Sequence, residues 1–359
     1  MNIAKAWVAQ LDDYVIDLAW SPDGRQLAAA SAAGPITLFE GATGAKQREL
    51  AGHQDGSNAV AFATAARPEA GNRIPDGLLL ASGGQDGCVR FWEGATGVEI
   101  AKVEFDHGDW VELLGWRPIP PFPGSGIRDP VLAAAAGRKL QLLKPDGVAL
   151  HEFPAAAKTL SALAWHPQGD AIAVAWFGGV CLWDASDFHA QREYAYASAI
   201  PALLWSPDGR WLVAGAQDNA VHLWRPAEDE EFHMSGYETK VRELSFSADS
   251  RWLATGGARD ACVWDCSGAG PAGREPVALP HADRVCAVAF QQARGLLATA
   301  ANDGEVGLWS PTRAEPLVAS IKLTAPASRL AWNPDDTKLA IGSQKGGVLV
   351  LKVEDPTQC

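Results

Sequence analysis

Short apolar runs recur along the chain in groups of three, separated by polar turns. The first run of each group ends in an aromatic residue. A turn follows, then a second apolar run, a tight turn and a third run that usually ends in Trp. The clearest copies are LAWSPDGRQLAAASAAGPITLF (18–39), LLWSPDGRWLVAGAQDNAVHLW (203–224) and VAFQQARGLLATAANDGEVGLW (288–309). Runs of four to eight residues bounded by Gly, Pro, Asp and Ser predict strands rather than helices. Ser-Pro-Asp-Gly at 21–24 and 206–209 reads as a β-turn, because Pro presets φ and Gly relaxes the last position. Asp86-Gly87 and Asp303-Gly304 mark hairpins in the same way.

Eight copies can be laid out, with first-strand aromatics Trp20, Phe62, Trp116, Trp165, Trp205, Phe246, Phe290 and Trp332. The third strands end at Phe39, Trp92, Leu143, Trp183, Trp224, Trp264, Trp309 and Val350. Six of these ends lie 18 or 19 residues after their aromatic; the second and third copies need 30 and 27. The excess falls in the loop between the first and second strands, Ala63 to Gly77 and Arg117 to Pro130. A fourth strand follows each third strand except the last, and Ala4 to Ala9 is a β-compatible run that would complete it. That pairing removes a sheet edge open to aggregation. The expected fold is therefore all-β, a single closed β-propeller of eight four-stranded antiparallel blades occupying 1–359 as one domain. Seven blades is the alternative, with the Trp-less third copy as the one to drop.

The hydrophobic share of 47% and charged share of 20% suit a soluble globular protein. A net charge of −13 argues against nucleic acid and anionic membrane as partners, since binders of phosphates concentrate Lys and Arg on one face. The start, MNIAKAW, lacks a secretory apolar run, and no stretch reaches bilayer length, so a cytoplasmic monomer is expected. Six scattered cysteines point to reduced thiols, and Cys262 and Cys266 fit no common metal spacing.

These residues resemble the WD-repeat (WD40-type) β-propeller family over nearly the whole chain. The resemblance implies a His before the first strand, Ser or Thr on the second, Asp in the hairpin and Trp on the third, joined in a buried hydrogen-bond chain. The second blade supplies His53, Ser82, Asp86 and Trp92; the seventh supplies His281, Thr299, Asp303 and Trp309. In both, the His precedes the first-strand aromatic by nine residues and the Asp precedes the Trp by six. The third blade keeps His107 but has Gly137 at the Asp position, and the fifth keeps Asp218 and Trp224 with Tyr196 in place of His. The literal Trp-Asp pair stands at Trp183-Asp184 and Trp264-Asp265.

His, Asp and Ser are also the ingredients of a catalytic triad. Their recurrence at one fixed position in separate blades argues for structural networks, because a triad needs members converging from different elements. The chain has no nucleophile elbow, Walker-type glycine loop, H-E-x-x-H or paired Cys-x-x-Cys. The expectation is a non-catalytic scaffold that binds partner proteins through rim loops, with no cofactor and no metal. The alternatives are a propeller hydrolase or lyase with a site at the channel mouth, or a small-ligand or metal-handling accessory.

The resemblance assigns the loops before the first strand and between the second and third strands to one rim, the top. Trp110, Trp176 and Phe177 fall there as candidate anchors, Phe177 where the family prefers Asp, with Tyr237, Arg138, Lys139 and Lys240 as polar neighbours. Large aromatics on a recessed surface are typical binding anchors. The alternative is packing against adjacent blades. The two neighbouring insertions make the bottom a rival, with Ile119, Pro121 and Phe122 as its candidates. Glu228-Asp229-Glu230-Glu231 reads as a solvated bottom loop, and Trp211 and Trp252 as blade packing.

Overall fold

The structure is a computed structural model that describes residues 2–63, 78–105, 108–119 and 129–354. Its strands form eight four-stranded antiparallel sheets. Seven run in simple chain order, and the eighth has the order Asn2–Gln10, Gly347–Glu354, Lys338–Ser343, Ala327–Trp332. The N-terminal strand thus pairs from Asn2↔Glu354 to Gln10↔Gly347, with a bulge between Lys5 and Trp7. Eight blades are present. The third, with strands Val111–Trp116, Leu132–Ala136, Lys139–Leu143 and Ala149–Glu152, is complete although it ends in Leu143 rather than Trp.

Burial explains the composition of the strands. Second strands such as Leu132–Ala136 and Leu297–Ala301 are buried at every position. Covered on both faces, they read as apolar runs rich in Ala, interrupted in the second case only by Thr299, and the small Ala side chain lets neighbouring sheets approach. Fourth strands such as Glu99–Glu104 and Ala190–Ala195 are largely exposed and carry alternating charges. Charged residues on an edge strand discourage pairing with another chain.

The contacts gather into two compact units, Met1–Leu18 with Ser198–Cys359, and Ala19–Ala197. Within the second unit the Trp165 indole donates to the Gly115 carbonyl at 2.8 Å, and the Trp116 indole to that of Ala61 at 2.9 Å. Within the first unit the Trp332 indole donates to Ala289 at 2.9 Å. In each case the acceptor is the residue just before the preceding blade's first-strand aromatic. Where that aromatic is Phe290 no indole is present, and its backbone N–H donates to Ser245 Oγ at 2.9 Å. The recurring aromatics therefore clip neighbouring first strands together by directed bonds as well as by packing.

The polar turns behave as their chemistry requires. Ser21 Oγ donates to Asp23 at 2.6 Å and accepts from the Gln26 N–H at 2.9 Å, while Gly24 takes a φ of 68°. The acidic run is exposed to solvent as expected, but Glu230 and Glu231 open the strand Glu230–Met234 and the glutamates are paired. Glu228 reaches Arg210 at 3.2 Å, Glu230 pairs with Arg225, and Glu231 lies 3.0 Å from His222. Trp211 is fully buried in its blade.

Candidate functional site

In the second blade the four residues of the repeated set meet. The Trp92 indole donates to Ser82 Oγ at 2.9 Å, the Ser82 hydroxyl lies 2.8 Å from His53 Nε2, and His53 Nδ1 lies 2.8 Å from Asp86 Oδ1. This sequence is consistent with a neutral imidazole that donates from Nδ1 and accepts at Nε2. Burial pushes the His53 imidazole below its ordinary value, against the Asp86 hydrogen bond that raises it. Burial alone would raise Asp86, but the bond from His53 and the Cys88 and Gln54 N–H groups hold its carboxyl below the ordinary value.

The seventh blade departs from the expected chain at one member. The Trp309 indole donates to Thr299 Oγ1 at 2.6 Å, and Thr299 lies 2.7 Å from His281 Nε2. Asp303 turns away from the imidazole to Lys322 Nζ, 2.7 Å distant, and to the Glu305 N–H. His281 Nδ1 makes no hydrogen bond and has Glu305 Oε2 at 3.8 Å. A flexible lysine on the outer strand outcompetes a neutral ring for the carboxylate, because the ion pair keeps access to water.

Tyr237 is a second correction. It stands nine residues before Phe246, the offset of the His in other blades, and it takes that role. The Trp264 indole donates to the Tyr237 hydroxyl at 2.9 Å, and that hydroxyl lies 2.9 Å from Thr255 Oγ1. Burial raises the phenol well above its ordinary value. Tyr237 is thus an interior member of the sixth blade and not a rim contact. The nine-residue offset was the signal that could have found it.

The side chains of His53 and His281 are wholly enclosed, so neither is open to a substrate. His107 lies outside the described residues. Among the described residues no three His, Cys, Asp or Glu side chains are grouped to hold a metal. No helix among them is long and apolar enough to cross a membrane.

On the second unit's top loops, two of the three proposed anchors are exposed. Trp110 has 51% of its surface open and Phe177 59%. They are the only aromatics among the exposed large apolar residues described. Trp176, by contrast, is half-buried, packed against the core that includes Leu160, Val174 and Cys181. Its strand position pairs it with Leu160 and Gly179, which turns the ring into the blade. The loops between the anchors are fastened. Leu160 N–H donates to Gly137 C=O at 2.7 Å, Ala156 N–H to Arg138 C=O at 2.9 Å, and Arg138 Nε to Ala156 C=O at 2.5 Å. Gly137 has a φ of 55°, and a Cβ there would fall 1.9 Å from the Asp109 carboxylate. The left-handed φ favours glycine there, and the exposed Asp109 side chain beside Trp110 lies over it. Arg138 is exposed, and Lys139 and Lys240 are half-buried, Lys240 belonging to the other unit.

At the bottom, Ile119 is half-buried, whereas Pro121 and Phe122 lie outside the described residues. What the described bottom does show is four exposed apolar side chains, Val98 and Ile100 beginning the second blade's outer strand and Val148 and Leu150 the third's. Gly147 seats this turn against its neighbour, since a Cβ there would meet Ala101 and Val103.

Comparison with known proteins places these features. The WD40 family profile (WD domain, G-beta repeat) matches residues 44–93, 191–225, 230–265 and 275–310. The chain is 23% identical over 353 residues to telomerase protein component 1 of Mus musculus, covering 95% of this chain and 11% of that protein. It is 40% identical over 91 residues to ribosome biogenesis protein ERB1 of Coccidioides immitis, covering 25% of this chain and 10% of that protein. To intraflagellar transport protein 122 homolog of Homo sapiens it is 23% identical over 215 residues, covering 59% and 15% respectively. The chain thus spans between a tenth and a sixth of these relatives' length. Among solved structures, the computationally designed Ika8 protein superposes with a TM-score of 0.74 at 20% identity, covering 96% of this chain and 98% of that one, which establishes likeness of fold.

Proposed function

Because the chain belongs to the WD-repeat β-propeller family, we propose that it is a non-catalytic intracellular scaffold that captures a partner protein on the top loops of its third and fourth blades. The observation that carries the reading is the pair of exposed aromatics, Trp110 and Phe177, on loops fastened by backbone and arginine hydrogen bonds. A rigid aromatic buries a large apolar area at small entropic cost, which is how a few side chains dominate an interface. Exposed Arg138, Lys158, Asp109 and Glu112 give the anchors a mixed-charge surround suited to a polar rim.

The second reading is capture on the bottom of the second and third blades, supported by the exposed Val98, Ile100, Val148 and Leu150. Pull-down from the native organism with wild type, W110A/F177A and V98S/I100S separates the two. Loss of about 2 kcal/mol or more of affinity on removing an anchor is the hot-spot signature. Capture unaffected by W110A/F177A would overturn the top-loop reading, and capture lost only in V98S/I100S would move the site to the bottom.

A further inference from the structure

The turn between the first and second strands of the eighth blade, Asn333 to Thr337, breaks the repeat at one position. Four residues after the first-strand aromatic, three other blades have Gly24, Gly169 and Gly209, with φ of 68°, 69° and 74°. The eighth blade has Asp336 there instead, at a φ of 58°. A side chain is disfavoured in this left-handed region, and Asp is one of the few that tolerate it. Asp336 is also a charged residue with 0% of its surface exposed.

The Asp336 carboxylate lies in the matching turn of the seventh blade, where three successive backbone N–H groups converge on it. Gln292 donates to Oδ1 at 2.8 Å, and Ala293 and Arg294 donate to Oδ2 at 2.6 and 3.3 Å. Gln291 returns the contact: its Nε2 donates to the Asp336 carbonyl at 2.9 Å, while its Oε1 accepts the Leu296 N–H at 3.2 Å. The Gln291 N–H donates to the Leu296 carbonyl at 2.8 Å, which closes the loop presenting the three donors. Both turns belong to one compact unit. The sixth blade has a single-bond counterpart, in which Ser250, at the same repeat position with a φ of 61°, accepts the Asp208 N–H at 2.9 Å through its hydroxyl.

Consecutive N–H groups in a turn form a concave nest whose partial positive charges bind an anion. A carboxylate is costly to bury unless it is hydrogen-bonded, and N–H bonds to an ionised acceptor are among the strong ones. We propose that the Gln291–Leu296 turn is a carboxylate-binding site and that Asp336 is its built-in ligand, a latch that ties the eighth blade to the seventh. In the intact protein Asp336 fills the site and closes it to free anions. The sign of a glycine substitution separates this latch from an incidental side chain. Glycine relieves the left-handed backbone, so Asp336→Gly is neutral or stabilising where the carboxylate does nothing. Where the carboxylate is the latch, the same change destabilises and leaves a vacant nest that a one-carbon carboxylate can enter.

The test takes the full chain as wild type, D336G and D336N through thermal melts and amide hydrogen exchange, in sodium formate and in sodium chloride at equal ionic strength. D336G is expected to melt about 3–6 °C below wild type, with the Gln292, Ala293 and Arg294 amides exchanging about tenfold faster. Formate should restore part of that protection in D336G and leave wild type unchanged. D336N keeps the side-chain shape and one carbonyl acceptor but turns an NH2 group toward the donors, so exchange at the same amides should rise there too. If D336G does not fold, exchange in D336N decides alone. D336G melting at or above wild type, exchange of the three amides unchanged in the variants, or equal protection of D336G by formate and chloride overturns the proposal.

Discussion

Asp86 and Asp303 occupy the same repeat position, yet their removal should have unequal effects. Asp86 accepts from His53 Nδ1 at 2.8 Å and from the Cys88 N–H at 3.2 Å, with its side chain 12% exposed and the imidazole wholly enclosed. Truncation to Ala leaves a buried ring N–H without an acceptor, which costs about 1–3 kcal/mol in addition to the turn contact. Asp303, 22% exposed, contributes mainly an ion pair to Lys322, a side chain 59% exposed, and exposed pairs are worth about 0–1 kcal/mol. The expected losses are about 3 kcal/mol for D86A and about 1 kcal/mol or less for D303A. Urea denaturation of both variants and wild type at pH 7.5 gives the two differences directly. Equal losses, or a larger one for D303A, would show that the second and seventh blades share one network after all.

Y237F keeps the ring but strands the Trp264 indole N–H and leaves the buried Thr255 hydroxyl with only the Cys262 carbonyl at 3.3 Å, so it should lower stability by about 1–3 kcal/mol in the same denaturation assay. An unchanged midpoint would return Tyr237 to the surface. Acid should weaken the fold from near neutrality. Burial holds His53 and His281 below 6.5 in the folded state, so the unfolded chain takes up their protons first, and the stability present above about pH 6.5 falls as the pH drops toward the folded values. Asp86 is held low, by His53 against its burial, and Asp303 chiefly by Lys322; both add a second loss below the ordinary carboxylate range. Burial pushes the Glu243 carboxyl up to about 7, which adds stability as pH falls through the same range, so the histidine share is read in E243Q, where a urea midpoint that stays flat or rises between pH 7 and pH 5 would contradict this.

The strand count was legible because each apolar run is short and closes on an aromatic, and because the sheet-edge argument required a partner for Gly347–Glu354. The second blade's network was legible for the same reason: its four members sit at fixed offsets on strands whose geometry leaves little choice. Offsets place backbones, however, and do not decide which of two bases a carboxylate prefers. Asp303 had Lys322 on the adjoining outer strand as a competitor, visible only once those strands were paired. Trp176 and Phe177 are chain neighbours with opposite surroundings, because Trp176 ends the strand Ala171–Trp176 with its ring against the blade core whereas Phe177 stands in the hairpin turn beyond it.

The pairing of Asn2–Gln10 with Gly347–Glu354 also orders events in time. Seven sheets are built from strands consecutive in the chain and can form as a ribosome delivers them. The eighth cannot, because its outer strand is made first and its partner last. Closing a loop of that length costs about 5 kcal/mol of chain entropy, against far less for a hairpin. During synthesis Asn2–Gln10, with Trp7 and Val8, is thus an apolar strand awaiting its mate, and the interval before Gly347–Glu354 emerges is when a nascent chain most needs shielding.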